Sequence, residues 1–205
     1  SSSYVPQYGF TAYGLYLETC NGYLVEGNSF EGNSYADQVP LPGYVATCGT
    51  FINHSGPYEN EIYRNSYNDF HCAVAVYREN RDGSSGVGLR IKCNEFSANG
   101  IDIGVFKGTL PLTTDMGIKY EQGVYNTTSS SLSAGNIFTS SSLSYHTWDI
   151  ANYANHFRYN HHNVSSTNSK VMPDQNITYN ATIHQNILSD YNSYSCPEVL
   201  DDGSS

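Results

Sequence analysis

The chain has 205 residues, a formal net charge of −10 and only nine Lys plus Arg. That balance repels phosphates, which excludes a general nucleic-acid binder, and no apolar run approaches the ~20 residues that cross a bilayer as a helix. Charged residues are 14% of the chain while tyrosines number nineteen, a composition that is neither disordered nor helical.

The start, Ser1-Ser2-Ser3-Tyr4, does not look like a native beginning, and no signal peptide is present. The chain is therefore expected to be a processed piece of a longer polypeptide. The first strand-like run is Leu15-Tyr16-Leu17, followed by Tyr23-Leu24-Val25-Glu26-Gly27-Asn28-Ser29-Phe30. The same alternation reappears: Thr50-Phe51-Ile52, then Asn60-Glu61-Ile62-Tyr63-Arg64-Asn65-Ser66-Tyr67. It comes a third time as Cys72-Ala73-Val74-Ala75-Val76, then Leu89-Arg90-Ile91-Lys92-Cys93-Asn94-Glu95-Phe96. Ile101-Asp102-Ile103-Gly104-Val105 and a degenerate Ala134-Gly135-Asn136-Ile137-Phe138 make a fourth pass.

Each pass offers a strand with one inward face at period two, then an Asn-x-aromatic turn. One pass cannot bury its apolar side chains alone, so the passes are expected to stack. The predicted fold is all-β, a right-handed parallel β-helix with an irregular C-terminal wrap. Asn28, Asn65, Asn94 and Asn136 should fall in register as an Asn ladder, with Asn itself taking the left-handed backbone that the turn needs. Phe30, Tyr67, Phe96 and Phe138 should stack inside. The spacings of 37, 29 and 42 residues (28 to 65, 65 to 94, 94 to 136) are uneven. A bare coil takes roughly 20 to 29, so Glu31 to Gly43, Glu79 to Gly86 and Lys107 to Ser133 should loop out. The expected division is 1–139 as coils, 140–198 as a covering wrap and 199–205 as a flexible linker. Leu15, Leu17 and Val25 are expected to face an open coil end.

These residues resemble large surface proteins exported by the bacterial type IX system. The likeness is carried by Asn60 to Asn65, Leu89 to Phe96 and Asp102-Ile103, while Gly14 to Phe30 resembles the repeats of right-handed parallel β-helix proteins more broadly. The Ala-Gly-Asn-x-Phe stretch at Ala134 to Phe138 and the Ser195-Cys196-Pro197 end belong to it too. It covers roughly residues 13 to 198 and implies a β-helix in a secreted or cell-surface setting. It implies no catalytic residues, and in such proteins a sorting domain follows further on.

The chemistry is sparse. No CxxC occurs among the five cysteines, so no zinc motif is legible. Cys72 and Cys93 sit in apolar runs where a thiol packs as a small hydrophobe, and Cys196 is expected to be unpaired or exposed. Glu18, Glu26, Glu61, Glu95 and Asp102 are the carboxylates that a glycosidase could recruit. Each is expected to face solvent. Arg64, Arg90 and Lys92 are candidates for a lyase by position alone, and His156, His161 and His162 have no converging pattern. Tyr35 with Asp37, and Arg78, Arg81 and Asp82, lie on expected loops, where a tyrosine face and nearby polar groups suit a sugar. The expectation is a non-catalytic extracellular module for adhesion or glycan binding, with a β-helix lyase or hydrolase as the alternative. No cofactor, metal or membrane span is expected. An extracellular glycan or another protein chain is the expected partner.

Overall fold

The computed structural model describes residues 12–32, 46–83, 86–108, 116–124, 133–140, 142–163, 169–174, 176, 178–190 and 196. Nearly all regular structure in it is strand, every pairing of named strands is parallel, and no α-helix occurs among the described residues.

Three consecutive strands go one to each of three sheets, and the order then repeats. The first trio is β1 (Ala12–Glu18), β2 (Leu24–Glu26) and β3 (Ser29–Glu31). The second is β4 (Thr47–Asn53), β5 (Glu61–Tyr63) and β6 (Ser66–Asn68); the third is β7 (Cys72–Tyr77), β8 (Arg90–Lys92) and β9 (Glu95–Ser97). β10 (Ile101–Phe106) and β12 (Trp148–Asn152) extend the first sheet, which ends on β14 (Thr178–Tyr179), giving the order β1-β4-β7-β10-β12-β14. β11 (Glu121–Gln122), β13 (Phe157–Asn163) and β15 (Ala181–Asp190) form a fourth sheet.

Register explains the core. Leu17, Ile52, Val76 and Val105 are in-register partners, and Val25, Ile62 and Ile91 are partners in the second sheet. Ile52, Val76, Val105, Ile62 and Ile91 belong to one buried cluster, and Leu17 and Val25 pack against it. Each fully buried aliphatic chain contributes about 1.5–3 kcal/mol. The third sheet adds rings: Phe30, Tyr67, Phe96 and Phe138 stack with centroids 5.0, 5.6 and 6.0 Å apart. Tyr67 has no exposure, and its hydroxyl is satisfied by Thr50 Oγ1 at 2.9 Å.

The large sheet has a second apolar face. Tyr16, Phe51, Ala75, Gly104, Ala151 and Tyr179 form one in-register row. Its small members leave room for rings from neighbouring positions. Tyr16, Phe51, Tyr77, Phe106, Tyr153 and Tyr179 then run as a line of rings 5.1, 5.0, 4.8, 5.7 and 5.3 Å apart. Gly104 is required here, because a Cβ on it would meet the Phe106 ring at 2.6 Å.

Several expectations need correction. Each Asn motif is a corner between two short strands rather than a single element. The left-handed residue is the one before the Asn: Gly27 (φ 67°), Arg64 (φ 52°), Cys93 (φ 58°) and Gly135 (φ 69°). That leaves the Asn side chain free to bond along the stack. Beyond residue 140, β12 and β14 continue the large sheet and β13 pairs with β15. Cys93 is not a free thiol and Cys196 is not unpaired: they form a disulfide across 103 residues of sequence. The predicted loops around residues 33–45, 109–115 and 125–132, and the linker at 199–205, lie outside the described residues. So do residues 1–11, which precede β1. Leu15, Leu17 and Val25 are half-buried on the edge strands β1 and β2.

Candidate functional site

The corner between the second and third sheets carries a polar groove. Its spine is the four asparagines. Asn28 donates its backbone amide and its Nδ2 to Asn65 Oδ1, each at 3.0 Å. Asn65 does the same to Asn94 Oδ1 at 3.0 and 3.1 Å, and Asn94 to Asn136 Oδ1 at 2.9 and 3.1 Å. Asn136 Nδ2 donates to the Ile91 carbonyl at 2.8 Å and to the Tyr159 hydroxyl at 3.0 Å. The side chains of Asn65, Asn94 and Asn136 therefore each satisfy a corner N–H that the turn would otherwise leave unpaired.

Outside this spine, Ser29, Ser66 and Glu95 are in-register partners, and Ser66 Oγ donates to Ser29 Oγ at 3.0 Å. They line a groove of 430 Å³ together with Arg64, Ile137 and Cys196. Arg64 stands at the left-handed position of its corner, a conformation that costs a non-glycine residue about 1–3 kcal/mol. Two hydroxyls, a guanidinium and a carboxylate on a rigid corner can bond the hydroxyls of a polar ligand.

The loop residues singled out from sequence are not brought to this groove. Tyr35 and Asp37 lie outside the described residues. Arg81 is buried, not presented on a loop: its Nη1 donates to the carbonyls of Ile118 at 3.3 Å and His156 at 3.0 Å. Arg78 is half-buried with φ 64°, and the Asp82 amide donates to the Val87 carbonyl at 2.9 Å. Glu18 is exposed and its Oε1 accepts from Asn53 Nδ2 at 2.9 Å. Glu26 is half-buried, whereas Glu95 is exposed. Glu61 is buried, contrary to expectation, with Arg90 Nη2 at 3.0 Å from its Oε2. Lys92 is held below the usual lysine range by burial. The histidines do not converge: His156 Nε2 contacts Thr182 Oγ1 at 2.6 Å, and His161 Nδ1 contacts the His162 carbonyl at 2.6 Å.

Asp102 is the larger departure, with no exposure. Its Oδ2 accepts the Thr139 amide at 2.7 Å, and its Oδ1 accepts Thr139 Oγ1 at 2.7 Å and Asn99 Nδ2 at 3.2 Å. Beside it, His146 places Nδ1 2.7 Å from the Asn99 carbonyl and Nε2 2.7 Å from Asp149 Oδ1. Asp149 Oδ2 accepts the Asp174 amide at 2.6 Å. Burial pushes the Asp102 carboxyl up to about 7, against the opposing pull of His146. Burial also raises Asp149. It works to lower His146, but the Asp149 hydrogen bond and the Asp102 charge outweigh it and the ring rises. Asp149 also lines a neighbouring pocket of 340 Å³ with Ser140, Lys170 and Asp174.

No family model matches the chain, and no curated protein or solved structure matches it.

Two signals could have pointed to the buried cluster. Asp102 is a charge inside an apolar strand, Ile101-Asp102-Ile103-Gly104-Val105, and His146 stands three residues before Asp149 at the mouth of the next strand. Within the cluster both Asp149 oxygens and both His146 ring nitrogens have protein partners. Those bonds join the segments around Asn99, Asp149 and Asp174.

Proposed function

We propose that this chain is a stretch of right-handed parallel β-helix that works as a non-catalytic, glycan-binding surface module. The β-helix reading rests on the three-strand order repeated through one set of parallel sheets and on the amide-to-amide ladder at each corner. The Cys93–Cys196 disulfide supports an oxidising, extracellular compartment. The resemblance of its repeats to surface proteins exported by the type IX system supports a bacterial cell surface.

The observation that carries the binding reading is the groove over the ladder. Ser29, Ser66 and Glu95 stand one per strand at the parallel-sheet spacing, so equivalent contacts repeat along the stack. A polymer with repeating hydroxyls matches such a row. Arg64 adds a fork of donors, and the acidic partner it favours is a uronate or sulfated sugar.

The test is a glycan array with the purified chain, followed by product analysis on any glycan that binds. Binding without reducing-end or unsaturated product is expected. Arg64→Gly removes the guanidinium while easing the left-handed corner, so it should lower binding without lowering stability. Failure to bind any glycan, or binding that Arg64→Gly and Glu95→Gln leave unchanged, rules the groove out. Product formation moves the chain to the lyase or hydrolase class.

A further inference from the structure

One ligand-type atom from each of Asp102, His146 and Asp149 lies within 4.8 Å of the other two, and all three residues are buried. The hydrogen-bond partners decide what each atom can do. His146 Nδ1 faces the main-chain oxygen of Asn99 at 2.7 Å. A carbonyl only accepts, so Nδ1 carries the hydrogen. In that tautomer Nε2 presents a lone pair, and it faces a carboxylate oxygen, Asp149 Oδ1, at 2.7 Å. At that separation a proton lies between them; two ligands of one tetrahedral zinc ion stand about 3.3 Å apart, so an ion taking the proton's place parts the two atoms slightly.

The surroundings match a cation. An imidazole whose far N–H is fixed by a main-chain carbonyl is the arrangement that metal-bound histidines have. Asp102 is oriented from behind in the same way, by the Thr139 amide and hydroxyl and by Asn99. Its Oδ2 accepts the Thr139 amide, and a carboxylate oxygen has a second lone pair with which to coordinate. Asp149 is shared with the 340 Å³ pocket, which supplies an entry path.

We propose that Asp102, His146 and Asp149 ligate a single divalent cation of the zinc type. One imidazole nitrogen and two carboxylate oxygens suit Zn²⁺, whereas Ca²⁺ and Mg²⁺ take oxygen ligands. The ion replaces the proton between Nε2 and Oδ1, and that proton leaves to solvent. It joins β10, which carries Asp102, to the lead-in and start of β12, which carry His146 and Asp149. The site is separate from the groove and does not depend on glycan binding.

The experiment uses the full chain, stripped with a chelator, reloaded with Zn²⁺ and desalted. Elemental analysis should find one zinc per chain, with a higher melting temperature than the stripped protein, and Ca²⁺ should not be retained. Cobalt substitution should give the visible absorption of a nitrogen- and oxygen-ligated ion, and the His146 Nε2 resonance should shift on loading. Asp102→Asn and His146→Gln should each weaken zinc binding by about tenfold or more. Should those variants fail to fold, the cobalt spectrum and the His146 resonance of the natural chain decide the matter. Retention of no zinc by the folded chain means that a proton alone fills the contact and overturns the proposal. Zinc retained equally by folded His146→Gln also overturns it, because the ion then sits elsewhere.

Discussion

Asn28 and Asn65 meet at one oxygen: Asn65 Oδ1 accepts both the backbone amide and the side-chain amide of Asn28, each at 3.0 Å. Asn65 is 1% exposed and its own Nδ2 donates to the Val25 carbonyl at 2.9 Å and to Asn94 Oδ1 at 3.1 Å. Asn65→Ala removes the acceptor for two donors and the donor for two acceptors. The expected loss is about 1–3 kcal/mol in urea unfolding. Asn65→Asp keeps the acceptor but buries a charge beside Asn94 Oδ1, so it should cost more than Asn65→Ala at neutral pH. The reverse order would show that the ladder amides are not held as described.

His71 gives a pH test. Burial lowers its pKa to about 4, against the raising effect of Asp69, and Nδ1 accepts the Thr47 amide at 3.0 Å. Between pH 6.5 and 4 the unfolded chain binds a proton that the folded chain refuses. The His71 contribution is therefore complete above pH 6.5 and lost as pH falls to 4, amounting to at most about 3 kcal/mol. Asp102, raised to about 7, acts with the opposite sign over much of that range. The readout is consequently the difference between the natural chain and His71→Asn, which offers an acceptor that does not titrate. A constant difference from pH 7 to 4 would contradict the assignment.

Gly104→Ala tests the outer line of rings. The new methyl would meet the Phe106 ring at 2.6 Å, and Phe106 is 1% exposed between Tyr77 and Tyr153. Overpacking of this kind costs about 1–3 kcal/mol. Thermal unfolding should register the loss, with a changed near-ultraviolet signal from the displaced tyrosines. An unchanged melting temperature would mean that the ring has room to swing aside.

Cys196→Ser opens a loop spanning 103 residues of sequence. Removing such a cross-link costs about 2–5 kcal/mol. Cys93→Ser should cost a similar amount, and the double variant little more than either single one, because all three remove the same bond. Additive costs would show that the two sulfurs act separately.

Period-two runs made the large sheet legible: Leu15 to Leu17, Thr50 to Ile52, Cys72 to Val76 and Ile101 to Val105 all fall within it. The short strands flanking each Asn were not legible, since three residues carry too little alternation to separate them from a turn. The left-handed residue was assigned to the Asn because Asn tolerates that backbone; Arg64 and Cys93 hold it despite their side chains, since the next residue's amide is committed to the stack. Burial of Asp102 was hidden because its partner Thr139 lies 37 residues on, across the stretch read as loop. The pairing of Cys93 with Cys196 was hidden for a similar reason: cysteine partners are chosen in space, and spacing alone does not name them.

The disulfide also sets how the chain would carry mechanical load. Tension entering the backbone before Cys93 and leaving after Cys196 has a covalent shortcut through two sulfur atoms. The strands from Glu95 to Asp190, together with the buried Asp102, His146 and Asp149, lie inside the bypassed loop. Stretching would therefore peel the first trio, β1 to β3, from β4, β5 and β6, while the later strands stay slack.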